Sequence, residues 1–93
     1  MGFVEFEWDE AKARANWKKH GVTFPQATRV FLDPQRIERR DDRSYGEERF
    51  LTVGRVDEFE ILLTYTVRSD VTRVISARRA NRYEREEYWS SQV

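Results

Sequence analysis

An α+β domain, with an antiparallel sheet whose helices pack on one face in the order β-α-α-β-β-β-β-α, is the fold this sequence predicts. Three observations predict it. Between Arg36 and Arg79 the chain is rich in β-branched and aromatic residues, interrupted only by Asp41 to Gly46 and by the pairs Asp57-Glu58 and Ser69-Asp70, which have the length of hairpin links. Before that stretch, Asp9 and Thr23 each sit where an N-cap would precede a helical pattern. After it, Asn81 followed three residues later by Glu84 opens a last helix. A chain of 93 residues buries one core and not two, so residues 1–93 are expected to form a single domain.

The elements follow in order. Phe3 to Trp8 alternates apolar and acidic side chains, the pattern of a short edge strand. From Asp9 the alanines Ala11, Ala13 and Ala15 favour helix, Lys18, Lys19 and His20 suit the negative end of its dipole, and Gly21 stops it, which predicts a helix over 9–20. Thr23 with Gln26 is a capping pattern, and Phe24, Ala27, Val30 and Phe31 form a helical apolar stripe that ends by Asp33-Pro34. Strands are then expected over 36–40, 48–56, 59–67 and 71–79, the last three as antiparallel neighbours. With helices on one face only, the other face of the sheet would be free to hold a site, and Arg78, Arg79 and Arg82 crowd its rim where the last strand becomes the last helix.

Composition narrows what that site can be. There is no cysteine, which removes disulfides and thiolate metal sites and makes the cytoplasm the expected compartment. No apolar stretch approaches the length of a membrane span or a signal peptide, so no membrane association is expected. With one histidine and no glycine-rich phosphate loop, neither a zinc site nor a nucleotide cofactor is expected, and no metal or cofactor is assigned. The net charge is zero, yet the start of the chain is acidic and residues 68–85 are basic, and all of the 17 basic side chains except Lys12, Lys18 and Lys19 are arginine. That preference favours planar, bidentate grips on phosphate or carboxylate. Metal-free RNA cleavage needs a group to take the 2′-hydroxyl proton, cations for the phosphate and an acid for the leaving oxygen, and these residues can supply all of them.

Each candidate has a structural reading beside the functional one. His20 either offsets the helix dipole or serves as general acid or base. Arg78 and Arg79 are consecutive in a strand and so face opposite ways; alternation groups Arg73 with Ala77 and Arg79, and Val74 with Ser76 and Arg78, unless a bulge intervenes. Ser76 makes the second set the better site face, which leaves the other arginine to pair with Glu84 or Glu87. Arg49 opens a strand, Tyr65 is expected half-buried with its hydroxyl at a polar rim, and Arg82 and Arg85 are expected to pair along the last helix.

The run "EWDEAKARANWKKHGVTFPQATRVFLD", then "ERFLTVG", then "RVISARRANRYEREEY" resembles the BrnT family of type II toxins over nearly the full chain. The spacing from Trp8 to Phe24 and the Ile-Ser-Ala-Arg-Arg-Ala at 75–80 carry the likeness. The resemblance implies a RelE-like fold and a metal-independent endoribonuclease that inhibits translation. It also implies a BrnA-like antitoxin with a ribbon-helix-helix domain, which binds operator DNA for the pair. A dimeric antitoxin would bring two toxin copies into a heterotetramer. By the same resemblance the catalytic positions are Lys19, His20, Arg49, Arg73, Ser76 and Arg78, with Arg79, Tyr65 and Glu84 as substrate-binding accessories. The rival expectation is a non-catalytic interaction module whose arginines grip an acidic protein partner.

Overall fold

The computed structural model describes residues 5–43 and 46–92; the predicted strand's start at Phe3 and Val4, and residues 44–45 of the polar loop, lie outside them. The chain forms β1 (Glu5–Glu7), α1 (Glu10–His20), α2 (Phe24–Thr28) with a 3₁₀ turn over Arg29–Leu32, β2 (Ile37–Asp41), β3 (Arg49–Val56), β4 (Phe59–Arg68), β5 (Val71–Arg79) and α3 (Arg82–Ser90). Local chemistry accounts for most boundaries. The Asp9 carboxylate accepts the Lys12 N–H to start α1, and Gly21, in the left-handed region at φ 68°, ends it. The Thr23 hydroxyl caps α2 by accepting from the Gln26 N–H. At α3 the reciprocal box is complete, Asn81 accepting from the Glu84 N–H while Glu84 accepts from the Asn81 N–H. Ser69 and Asp70 both have positive φ, the twist a two-residue hairpin needs.

The five strands lie in the order β1-β5-β4-β3-β2. Strands β3 to β5 are the expected antiparallel neighbours, and β2 extends them antiparallel to β3. The sheet is nevertheless mixed, because β1 runs parallel to β5, with Phe6 opposite Thr72. Two-residue links force antiparallel neighbours, whereas β1 reaches β5 from the far end of the chain and no hairpin sets its direction.

A second correction concerns the helices, which do not share a face. Val22 and Phe24, on and beside the first two helices, join Ala27, Val30, Ile61, Leu63, Tyr65 and Val74 in one core. Tyr88 of α3 packs with Leu51, Val53 and Leu62 in another. Alternation along β4 separates Leu62 from Ile61 and Leu63, so the two cores lie on opposite faces of the sheet. Gly54 marks the tightest contact of the first core: a Cβ there would lie 2.9 Å from the Val30 Cβ.

Candidate active site

The placement of the arginines turns on one residue of β5. Thr64 is opposite Ser76 and Tyr65 is opposite Val74, which leaves Ile75 as an extra residue, a bulge in the ladder. Alternation therefore restarts within the strand. Arg78 lies opposite Leu62, Ser76 opposite Thr64 and Arg73 opposite Thr66, all on the α3 face. The expectation that Arg73 sides with Arg79 is thus overturned by the bulge. On β3, Arg49 shares parity with Leu51, and on β2 Arg39 lies directly opposite Leu51. These four arginines and Ser76 share this face, and the same alternation puts Arg55 and Arg68 on it too. Helix α3 covers the end near Val53 and Leu62, and among the described residues no helix covers the end near Thr66.

Three of the four arginines hold carboxylates. Arg78 grips Glu84 bidentately at 2.8 and 2.9 Å. Arg73 binds Glu7 of the neighbouring β1 at 2.8 Å. Arg49 lies 3.6 Å from Glu47, which also takes a 2.7 Å bond from Arg68. Burial at the foot of α3 raises the Glu84 pKa, but the Arg78 hydrogen bond, the Asn81 N–H and the charges of Arg78 and Arg39 outweigh it and hold it below the usual glutamate range. The helix acid expected to pair with the arginine outside the site therefore pairs with Arg78 itself. The Arg78 fork is held in the geometry a phosphate would use, since carboxylate and phosphate oxygens accept the same paired N–H donors.

The remaining predicted residues lie elsewhere. Arg79 faces the opposite way, opposite Ile61, with its guanidinium 4.1 Å above the Phe59 ring. Tyr65 is buried in the first core between Phe31 and Phe50, and burial raises the pKa of its phenol. It is neither half-buried nor on the arginine face. Lys19 and His20 end α1, and among the described residues neither side chain forms a hydrogen bond or ion pair. One helical turn before His20, and on the same side of α1, Asn16 lies against the edge of β5. Arg82 pairs with Glu86 as expected, whereas Arg85 donates instead to the Ala80 carbonyl.

Sequence reasoning missed three residues. The Asn16 side chain donates to the Ala77 and Val22 carbonyls and accepts from the Ala77 N–H, closing the edge of β5 where β1 no longer covers it. The signal was an asparagine, a poor helix former, inside an alanine-rich helix. In the sequence Asp33 marks only a helix stop, yet its carboxylate accepts from the Arg55 N–H, the Gln35 N–H and the Tyr88 hydroxyl, tying α3 to β3. Arg39 is one charge among many in its strand, and only its register opposite Leu51 places it on the site face.

Among the described residues no group of three or more histidine, aspartate or glutamate side chains converges as a metal site would require. Among the described residues no helix is long and apolar enough to cross a membrane. A family model described as "Ribonuclease toxin, BrnT, of type II toxin-antitoxin system" matches residues 8–84. No curated protein matches the chain.

Proposed function

The chain belongs to the BrnT family of ribonuclease toxins of type II toxin–antitoxin systems, and from that premise we propose that it cuts RNA on the arginine face without a metal ion and so inhibits translation. The single observation that supports this reading is the convergence of Arg49, Arg73, Ser76 and Arg78 on one partly uncovered face of the sheet, brought about by the Ile75 bulge. The fold is read as RelE-like and the cytoplasm as its place of action.

In the proposed reaction the 2′-hydroxyl of one nucleotide loses its proton and attacks the adjacent phosphorus. The new O2′–P bond forms as the P–O5′ bond breaks, and a proton goes to the departing 5′-oxygen. The products are a 2′,3′-cyclic phosphate and a free 5′-hydroxyl. Arg73 and Arg78 bind the phosphate and the charge that grows on its oxygens, replacing the carboxylates they hold in the free protein, and Arg49 receives the neighbouring phosphate. Ser76 offers a hydroxyl beside Arg78. His20, with Lys19 beside it, is assigned the proton transfer from the edge of β5, since imidazole is the side chain best matched to that task near neutral pH. A BrnA-like antitoxin with a ribbon-helix-helix domain neutralises the toxin, binds the operator for both, and as a dimer gathers two toxins into a heterotetramer.

One observation favours a second reading. Arg49, Arg73 and Arg78 already hold carboxylates, the groups an acidic protein partner would present to a non-catalytic module. Incubating the antitoxin-free protein with total RNA in EDTA separates the two. Cleavage that falls about 10²-fold in Arg73→Ala and Arg78→Ala, but only slightly in Arg79→Ala on the same strand, is the expected result. Equal losses in all three would remove the face from the account, and intact RNA throughout would favour the interaction module.

A further inference from the structure

Between α3 and the sheet lies a slot of about 220 Å³. Its floor is Ile37, Leu51, Val53 and Leu62, and its rim carries Arg39, Glu84 and Glu87. Glu84 is engaged by Arg78 and the Asn81 N–H. Among the described residues neither Arg39 nor Glu87 forms a side-chain hydrogen bond or ion pair, and Arg39 acts on Glu84 through its charge alone. An apolar floor between one guanidinium and one carboxylate whose hydrogen-bonding groups are open is complementary to a flat ring with apolar faces, acceptors on one edge and donors on another. A slot of 220 Å³ is below the roughly 300 Å³ at which pockets for drug-sized ligands begin, which suits a single base.

Among the four RNA bases only guanine carries two adjacent N–H donors, at N1 and N2, that one carboxylate can accept together, and its O6 and N7 form the acceptor pair an arginine fork prefers. Adenine would turn a ring acceptor toward the carboxylate, and the pyrimidines lack the O6/N7 pair. Single-stranded RNA presents these edges unpaired. We propose that the slot is a nucleobase subsite selective for guanine, Glu87 accepting from N1–H and N2–H and Arg39 donating to O6 and N7. Its wall at Glu84 is the residue that Arg78 grips, so a guanosine seated there sets its own phosphate toward the arginine face. The inference rests on the ribonuclease reading and names the substrate base for the same site.

The test is titration of the purified, antitoxin-free protein with 3′-GMP, 3′-AMP, 3′-CMP and 3′-UMP by calorimetry, repeated with Arg39→Ala and Glu87→Ala. Both substitutions are at exposed positions. Tighter binding of GMP by about tenfold or more, with the ratio over AMP collapsing toward one in Glu87→Ala, is the expected outcome. Equal affinities, or an unchanged ratio in the variant, overturn the subsite. Mapping the cut sites in a mixed-sequence RNA separates this inference from its premise. Cleavage with no guanine beside the cuts sinks the subsite and leaves the nuclease; guanine-selective binding with no cleavage does the reverse. If the two variants instead weaken capture by a BrnA-type antitoxin while all four nucleotides bind alike, the slot is a protein interface and the subsite is overturned.

Discussion

Replacing Arg78 by alanine removes both hydrogen bonds of the bidentate pair and leaves Glu84 with only the Asn81 N–H. The two side chains are unequally covered, with 37% of Arg78 and 13% of Glu84 accessible to solvent. A fully exposed pair would contribute about 0–1 kcal/mol, whereas breaking a buried one costs about 3–5 kcal/mol. The intermediate exposure, discounted for screening on the arginine side, places the loss near 1–2 kcal/mol, at about 4–8 °C of Tm per kcal/mol for a domain of this size. The pH dependence has a definite sign. The folded state holds the Glu84 pKa below its unfolded value, so this stabilisation is fully present above about pH 4.5 and is lost as pH falls through the lower, folded value. Urea unfolding of wild type and Arg78→Ala between pH 3 and 7 reads the difference directly. The gap should close toward the acid end. A gap that stays constant with pH, or that widens below pH 4, would refute the assignment of the stabilisation to this pair. Cleavage assayed alongside, with the protein shown folded by circular dichroism, should fall about 10²-fold, which exceeds anything 1–2 kcal/mol of stability could cause in a still-folded protein.

Gly54→Ala sets two effects against each other: alanine entropy favours the fold by less than about 1 kcal/mol, but the added Cβ meets Val30 at 2.9 Å and its carbonyl at 3.1 Å. Net destabilisation of about 1–3 kcal/mol is expected in urea titrations, and a variant as stable as wild type would show that the 3₁₀ turn yields freely. Asn16→Leu should cost about 2–4 kcal/mol, because it strips the partners from both backbone groups of Ala77, and should speed hydrogen exchange at the Ala77 amide. Burial and the bond to Asp33 raise the Tyr88 pKa from 10 to about 12. Its contribution is thus present below pH 10 and lost as pH rises through about 12. Tyr88→Phe should remove the last tyrosinate to appear in an absorbance titration.

How much of this was legible in the sequence depends on how local each feature is. The strand from Val71 to Arg79 and the Asn81–Glu84 box are written in adjacent residues, and both stand where the pattern places them. The face that α3 covers is not local. It depends on Ala80 closing against Glu60 and on Tyr88 reaching Asp33, contacts between residues far apart in the chain. The parallel pairing of β1 is hidden for the same reason. Most consequential is the bulge at Ile75: strict alternation splits Arg73 from Arg78, and nothing in Val74-Ile75-Ser76 announces an extra residue. The likeness to a family could propose the arginines as a group, but only the register brings Arg73, Ser76 and Arg78 onto one face, leaves Arg79 and Tyr65 on the other, and adds Arg39.

The most direct test of metal-free cleavage by 2′-hydroxyl attack is identification of the RNA termini left by the antitoxin-free protein in EDTA, read by mass spectrometry on a defined oligonucleotide. A 2′,3′-cyclic phosphate (or the 2′- or 3′-phosphate it hydrolyses to) on one fragment and a free 5′-hydroxyl on the other is the predicted result, with no cut where a 2′-deoxynucleotide replaces the attacking ribose. A 5′-phosphate and 3′-hydroxyl, appearing only when a divalent cation is restored, would contradict the account.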